Sequence, residues 1–541
     1  MVIFQEKFLG LLLLVIFGAA VIWIVNQPME ILVRNFLVDD AFYYFQPAFN
    51  IVNGLGPTFD GEHLSNGYHP LWMGILTAIY YFFPDDKVTP IYIALVFSLV
   101  FFYLTILIFW NILSLFSKDK FLKSVLSILF ILNPWGLVNS LNGLETALTM
   151  LFFALFFWLF LRILFGEGQP KNFLFLGLTA GLLVLARVDY GLFLAAPALY
   201  LLVKQNNFFW KRALCFFLPA IFLPLPWFLY NYFYFGSFFP TSGLAYTLIN
   251  HRLFFYKART MTTVFLWSLY NFFGATAFSL KTAGLPIFYD IRERWKSVFW
   301  MGGLYILVPA FLIAYFFRKK RENFQIFSKE LFRSPEWIGL LIFLTGYLGL
   351  LIVHGGIRWS GRAWYFAPFP MFFLLGSGII LSREFFSYWR KPILIALSAL
   401  LLFSYFSNWR PVFYENAGQK EVYEFVLWLK DNFPTDARIA SFNSGILGYF
   451  SDHFVMNADG LINQAAYEAM QKNQLWELFK KEQIDYLVDY EITLTYRFRS
   501  FLGLEDPMTR VVKIDLPEYL SKVGSYGSSQ IKVYQLQYEN P

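Results

Sequence analysis

The feature that most constrains this chain is a series of apolar runs, most of them near 20 residues, the length a helix needs to cross about 30 Å of hydrocarbon. They lie near 8–25, 90–116, 121–138, 145–165, 173–189, 190–203, 213–235, 298–317, 337–354, 364–381 and 392–408, about eleven in all. Composition agrees, since charged residues make up 15% of the chain where a soluble domain carries about 25%. The expectation is a polytopic α-helical membrane protein. Two runs need a decision. The first lacks a basic lead and a small-residue cleavage pattern before Asn26-Gln27-Pro28, so it reads as a retained span rather than a signal peptide. The second, 71–83, lies between Pro70 and Pro84, is too short to span, and is expected along the membrane interface. The single cysteine, Cys215, excludes an intramolecular disulfide.

Orientation follows from the basic loops. Lys118, Lys120 and Lys123 form one cluster, Arg162 and Lys171 a second, Lys204, Lys211 and Arg212 a third. Arg318 to Arg321 and Arg383, Arg390 and Lys391 complete the set. With the N-terminus inside, all five loops fall on the cytoplasmic side, as the positive-inside rule requires. The net charge of +7 is thereby explained, and no interleaved basic and aromatic patch points to nucleic acid. The expected arrangement is a transmembrane domain over 1–408, with a long first outer loop at 26–89. An extracytoplasmic α/β domain follows over 409–541, in a plasma or inner membrane. In that tail, 422–432 and 464–481 read as helices, and 438–441, 486–488 and 530–535 as strands. Within the outer segment 236–294, the stretch 264–280 is apolar enough to enter the membrane surface.

Polar residues concentrate in the outer loops. Asp39 and Asp40 follow the first span, then come Asp60, Glu62 and His63, then Asn66-Gly67-Tyr68-His69-Pro70-Leu71-Trp72. A carboxylate doublet at a membrane surface is costly unless paired or functional, and a carboxylate there can take a proton from a hydroxyl. The competing reading is that Asp39 only caps the following helix. A later loop carries His354, Arg358, Arg362, Trp364, Tyr365 and Pro368. Guanidinium groups suit phosphate because they donate two hydrogen bonds in a plane, although interfacial arginines also snorkel toward water. The 240–243 turn, with His251, Arg252, Lys257 and Arg259 beyond it, is a candidate cover for a substrate. Glu145, at the start of a span, is a candidate for sugar hydroxyls or simply a favourable charge at a helix N-terminus. Arg187 and Asp189 read as a structural ion pair. No ligand spacing joins His63, His69, Asp60 and Glu62, so no cofactor is expected, with a divalent metal kept as the weaker alternative. In the tail, Asn443-Ser-Gly445 and Asp459-Gly460 read as turns that also suit an acceptor surface.

Together, the Asp39-Asp40 doublet, the Asn66 to Trp72 string and the basic late loop resemble the GT-C superfamily of membrane glycosyltransferases. That group includes protein O-mannosyltransferases, aminoarabinose transferases and arabinofuranosyltransferases. The string has His69-Pro70-Leu71 where His-Pro-Pro is common in the superfamily. The resemblance implies an inverting transfer of sugar from a polyprenyl-phosphate donor to a glycan, lipid or protein acceptor, among membrane lipids. It implies a catalytic base at Asp39 or Asp40, with Asp39 favoured because the first acidic residue is the usual base. It also implies donor phosphate on Arg358 and Arg362, with Asn66, Tyr68, His69, Glu145, His354 and Tyr365 available to substrate. The acidic and basic sets are then expected to share one cavity. The rival is a transporter or flippase of a lipid-linked or small polar substrate, which would place its polar groups at the bilayer midplane on repeated halves. No repeat is evident.

The topology is testable in intact cells. A thiol engineered on the surface of the C-terminal domain should react with an impermeant maleimide and one at Ser328 should not; the reverse pattern would overturn every assignment of side.

Overall fold

A computed structural model describes residues 2–203, 209–255, 260–285, 321–414, 417–517 and 531–538. Among these residues, six helices are long and apolar enough to cross a membrane: Thr89–Phe116, Thr146–Leu164, Trp210–Phe235, Pro335–Ile357, Ala363–Ser382 and Arg390–Trp409. Two more candidates are bent pairs. Leu14–Val25 turns by 118° into Met29–Asn35, and Lys120–Ile131 by 54° into Pro134–Ser140. Proline explains both breaks, because Pro28 and Pro134 disfavour helical backbone in the residue before them. Asn133 then restarts its helix as a cap, accepting from Trp135 N at 2.9 Å and Gly136 N at 3.2 Å. Pro170–Ala186 and Val188–Val203 are shorter apolar helices. The expected span at 298–317 lies outside the described residues.

Phenylalanines fill the centre of the bundle. Phe153 meets Phe193 at 4.7 Å and Phe157 meets Phe343 at 4.6 Å, both with tilted or edge-on rings, the geometry that aromatic quadrupoles favour. Basic loops gather at one end. There Asp119 caps Lys120–Ile131 and takes Arg390 at 3.0 Å, while Arg383 pairs with Glu336. The C-terminal domain sits at the other end. Helix Pro70–Tyr81 stays at that end without crossing and buries Trp72, Met73, Leu76 and Tyr80. Helix Met261–Thr282 goes deeper than a surface dip. Its last turns meet side chains of the spans, with the Tyr347 hydroxyl donating to Ser279 and Asn133 donating to the Thr282 carbonyl at 2.8 Å.

The C-terminal α/β domain is built on a five-stranded sheet: β1 (Arg438–Ser441), β2 (Phe454–Asn457), β3 (Tyr486–Tyr490), β4 (Val511–Ile514) and β5 (Ile531–Leu536). The order is β2-β1-β3-β5-β4, with β1 parallel to both neighbours and β5 antiparallel to β3 and β4. The sequence reading missed β2 and β4. It also drew one helix over 464–481 where there are two, Gln464–Lys472 and Leu475–Lys481, separated where Asn473 takes the left-handed conformation at φ 55°.

Domain and bundle are firmly joined. Arg438 forks onto Glu62 at 2.8 and 3.0 Å, Lys87 donates to the Tyr449 carbonyl at 3.0 Å, and the Tyr80 and Tyr449 hydroxyls share a hydrogen bond.

Candidate functional site

Asp39 and Asp40 lie on a 3₁₀ turn, Asp39–Ala41, that leads into helix Phe42–Val52. Such a turn has about three residues per revolution, so neighbouring side chains diverge by roughly 120°. The two carboxylates therefore go to different places. Asp39 faces the C-terminal domain, where its oxygens accept from Gly445 N at 3.0 Å and Ile446 N at 2.8 Å. The domain prepares that pair of donors. Asp489 on β3 accepts from Phe442 N and Asn443 N, both at 2.9 Å, and so shapes the turn that presents Gly445. A side chain at 445 would strike Asp39 itself, within 2.1 Å of its carbonyl oxygen. Only glycine fits.

Asp40 instead lines a cavity of about 510 Å³ between the bundle and the domain. Its walls also include Tyr43, Tyr44, His69, Glu145, Arg187, Asp189, His354, Arg358, Tyr365 and Tyr246. The Asn142-Gly143-Leu144 turn sets Glu145 in place. Gly143 has φ 81°, a conformation costly for other residues, and its carbonyl accepts from Trp72 Nε1 at 3.1 Å. A buried string of charges runs across the wall from there. Arg187 donates to Glu145 at 2.7 Å and to Asp189 at 2.9 Å; Asp189 in turn bonds His354 Nε2 at 2.7 Å. His354 stacks on Tyr365 with ring centroids 4.1 Å apart. His69 Nδ1 accepts from Val188 N at 3.4 Å, and Nε2 stands 3.7 Å from Glu145. Breaking such a buried pair typically costs about 3–5 kcal/mol, because the surviving charge stays buried.

The loop bearing Arg358 is held from behind. Asn250 donates to the Arg358 carbonyl at 3.0 Å, His251 Nε2 bonds the Ile357 carbonyl at 2.7 Å, and Ser360 N donates to the His354 carbonyl at 2.7 Å. Trp359 is forced to φ 52°, the kind of strain that clusters at ligand sites. The guanidinium of Arg358 lies beside Gly243, and Pro240, Ser242 and Gly243 line the same cavity.

Of the residues singled out from sequence, Asp40, His69, Glu145, His354, Arg358 and Tyr365 share this cavity. Arg362 is not in its wall. It is hydrogen-bonded to Tyr246 and close enough to Asp40 to oppose the rise in that carboxyl's pKa. Asn66 is a buried joint, donating to Asn231 at 3.1 Å and accepting from Thr241 N at 3.1 Å. Tyr68 packs on Trp227 at 5.4 Å, also away from the cavity. His63 pairs with Asp60 at 2.9 Å and His69 faces Glu145, so the two histidines serve different neighbours. Lys257 and Arg259 lie outside the described residues. Arg187 and Asp189 form the expected ion pair, yet it faces the cavity. Their sequence signal was one unlike-charged pair inside an apolar stretch. Leu461 of the domain also reaches the wall, directly after the Asp459-Gly460 turn that the sequence offered for an acceptor surface.

Comparisons with solved structures match this arrangement over nearly the whole chain. The crystal structure of ArnT from Cupriavidus metallidurans bound to undecaprenyl phosphate aligns with a TM-score of 0.54 at 11% identity, covering 96% of this chain and 97% of that one. The apo state of the same protein gives 0.52 at 10% identity, with the same coverage. The fold is GT-C. An Archaeoglobus fulgidus oligosaccharyltransferase, in complex with Zn and sulfate, aligns at 0.50 and 13% identity over 94% of this chain and 70% of that one. A family model described as a domain of unknown function, DUF8728, matches residues 407–534 of this chain. No curated protein matches it in sequence.

Burial dominates the electrostatics of the doublet. It raises Asp39 from 3.8 to about 7 despite the two N–H groups, and raises Asp40 despite opposition from Arg362 and Arg497. Burial also lifts Asp459 to about 8. A carboxyl whose pKa is higher folded than unfolded favours folding below the unfolded value, and loses that contribution as pH rises through the folded one. Stability in detergent should thus fall from about pH 4 to pH 8, by about 1.4 kcal/mol for each unit of pKa difference at one site. Asp39→Asn should flatten part of that slope. An unchanged slope in thermal unfolding of the variant would contradict the account of Asp39.

Proposed function

We propose that this chain is a glycosyltransferase that moves a sugar from a polyprenyl-phosphate donor to an acceptor hydroxyl, with inversion, on the outer face of the membrane. One observation carries the reading: a carboxylate, Asp40, and a guanidinium, Arg358, from distant parts of the sequence face a single cavity where the bundle meets the domain. The relative with the same fold over 97% of its length is bound to undecaprenyl phosphate, which agrees with a lipid phosphate as the ligand. A carboxylate and a phosphate-binding cation in one cavity are what a displacement at an anomeric carbon requires.

In this mechanism the acceptor hydroxyl gives its proton to Asp40 as its oxygen bonds to the anomeric carbon. The bond from that carbon to the phosphate oxygen breaks, and its electron pair leaves on the polyprenyl phosphate. Attack from the face opposite the leaving group inverts the centre. Arg358 faces the charge that grows on the departing phosphate, and fixed groups of this kind act without reorganisation. Arg362 adds to the positive field and helps keep Asp40 ionised. Glu145 and His69 are assigned to sugar hydroxyls, with Arg187, Asp189 and His354 keeping them in position.

The base is Asp40 rather than the Asp39 that family habit suggests. Both oxygens of Asp39 are occupied by backbone N–H groups, and its side chain is not in the cavity wall. Its work is to hold the turn that aims Asp40. The C-terminal domain and first loop share one end, and the positive-inside rule assigns that end to the outside.

The test is transfer from a polyprenyl-phosphate sugar by purified protein. Asp40→Asn should lower kcat by about 10²–10⁴, the usual cost of removing a general base, while donor binding persists. Arg358→Ala should chiefly weaken donor binding. Wild-type rates in Asp40→Asn would reject the base. Movement of intact donor across vesicles, with no sugar transferred, would replace the enzyme by a transporter.

A further inference from the structure

The far end of the bundle holds a second cavity, of about 340 Å³, where helices Thr146–Leu164, Pro170–Ala186, Leu192–Val203 and Phe209–Phe222 converge. Helix Thr146–Leu164 starts beside Glu145 in the first cavity and ends at this one. Its 19 residues, at 1.5 Å each, separate the two by about 28 Å, nearly the thickness of the hydrocarbon layer. The walls are mainly apolar, with Leu201, Phe216 and Phe217 among them, and Leu202 at the rim is 38% exposed on the flank of the bundle.

Among the described residues, the cation that lines that space is Arg212. The guanidinium of Arg212 lies over the Phe173 ring at 5.7 Å and against Gly168, where an added Cβ would come within 3.3 Å of its Nη2. Its Nε is buried and has no acceptor among the described residues. The nearby carboxylate does not serve it, because Glu167 is engaged by Arg162, whose Nε donates at 2.9 Å. An Arg N–H withdrawn from water without an acceptor is costly, and the planar donor fork fits a phosphate. A cation at the mouth of an apolar cavity with an open flank has the form of a site for a phosphate that carries a hydrocarbon chain.

We propose that this cavity binds the phosphate of an anionic membrane lipid, with Arg212 on the phosphate and an acyl chain against Phe216 and Phe217. The positive-inside orientation puts it in the cytoplasmic leaflet, where anionic lipids supply such headgroups. It does not depend on the transferase reading. A lipid seated there bridges helix Phe209–Phe222 to its neighbours and stabilises that corner of the bundle.

The experiment uses the full chain, purified and delipidated in detergent. Thermal stability and the number of lipids retained in native mass spectra are followed as phosphatidylglycerol, phosphatidylcholine or inorganic phosphate is added. Phosphatidylglycerol should raise the wild-type Tm where phosphatidylcholine does not. Its apparent affinity should fall about tenfold in Arg212→Ala, the weight of a charge-assisted hydrogen bond. Ala213→Phe, which fills the cavity from its wall and keeps the charge, should produce a similar loss if the first variant does not fold. Arg358→Ala, in the other cavity, should leave the effect intact. Wild-type phosphatidylglycerol affinity in either folded variant overturns the site. Equal stabilisation by phosphatidylcholine overturns the role of the phosphate, and stabilisation by inorganic phosphate without phosphatidylglycerol replaces the lipid by a soluble anion.

Discussion

Two backbone N–H groups, of Gly445 and Ile446, meet one carboxylate, that of Asp39, and through this contact the C-terminal domain fixes the first loop. The donors are preset by Asp489 inside the domain, and the acceptor sits on the turn that also carries Asp40. Any shift of the domain would therefore rotate Asp40 relative to the cavity. The same junction buries Tyr43, whose hydroxyl accepts from Asn457 at 3.3 Å, and brings Leu461 into the wall. The domain is part of the site rather than an appendage to it.

The other constraint is charge. Carboxylates and guanidinium groups buried at the top of an apolar bundle persist only when they are paired and hydrogen-bonded. The string from Glu145 through Arg187 and Asp189 to His354 meets that demand with contacts of 2.7 to 2.9 Å. A wall built this way is stiff, and its dipoles are fixed before any substrate arrives. That suits stabilisation of developing charge, where reorganisation is the main cost. These polar groups gather where the bundle meets the C-terminal domain.

Much of this was legible in the sequence, for physical reasons that differ by residue. Long apolar runs had no alternative to helices, but the run drawn unbroken over 121–138 is bent at Pro134, where backbone sterics disfavour helix in the residue before proline. Asp40, Arg358 and Glu145 stood out because charges beside spans are expensive. Sequence could not divide the work of Asp39 and Asp40, since that division depends on which face of a single turn meets the domain. Nor could it separate Arg358 from Arg362: four residues apart, they look alike, yet only the first lines the cavity. Asn66 and Tyr68, which the resemblance offered to substrate, are buried, Asn66 against Asn231 and Thr241 and Tyr68 against Trp227. Strand β2 carries no alternation because three of its four residues are buried, and the helix break at Asn473 rests on one left-handed residue that no longer pattern announces.

The proposed reaction requires a lipid phosphate on Arg358, in the cavity that Asp40 also lines. A structure of the full chain in complex with a polyprenyl phosphate tests it most directly. The account predicts phosphate density against the Arg358 guanidinium, inside the cavity that Asp40 also lines, with the hydrocarbon chain leaving toward the membrane. A phosphate bound outside that cavity, with Arg358 untouched, would contradict it.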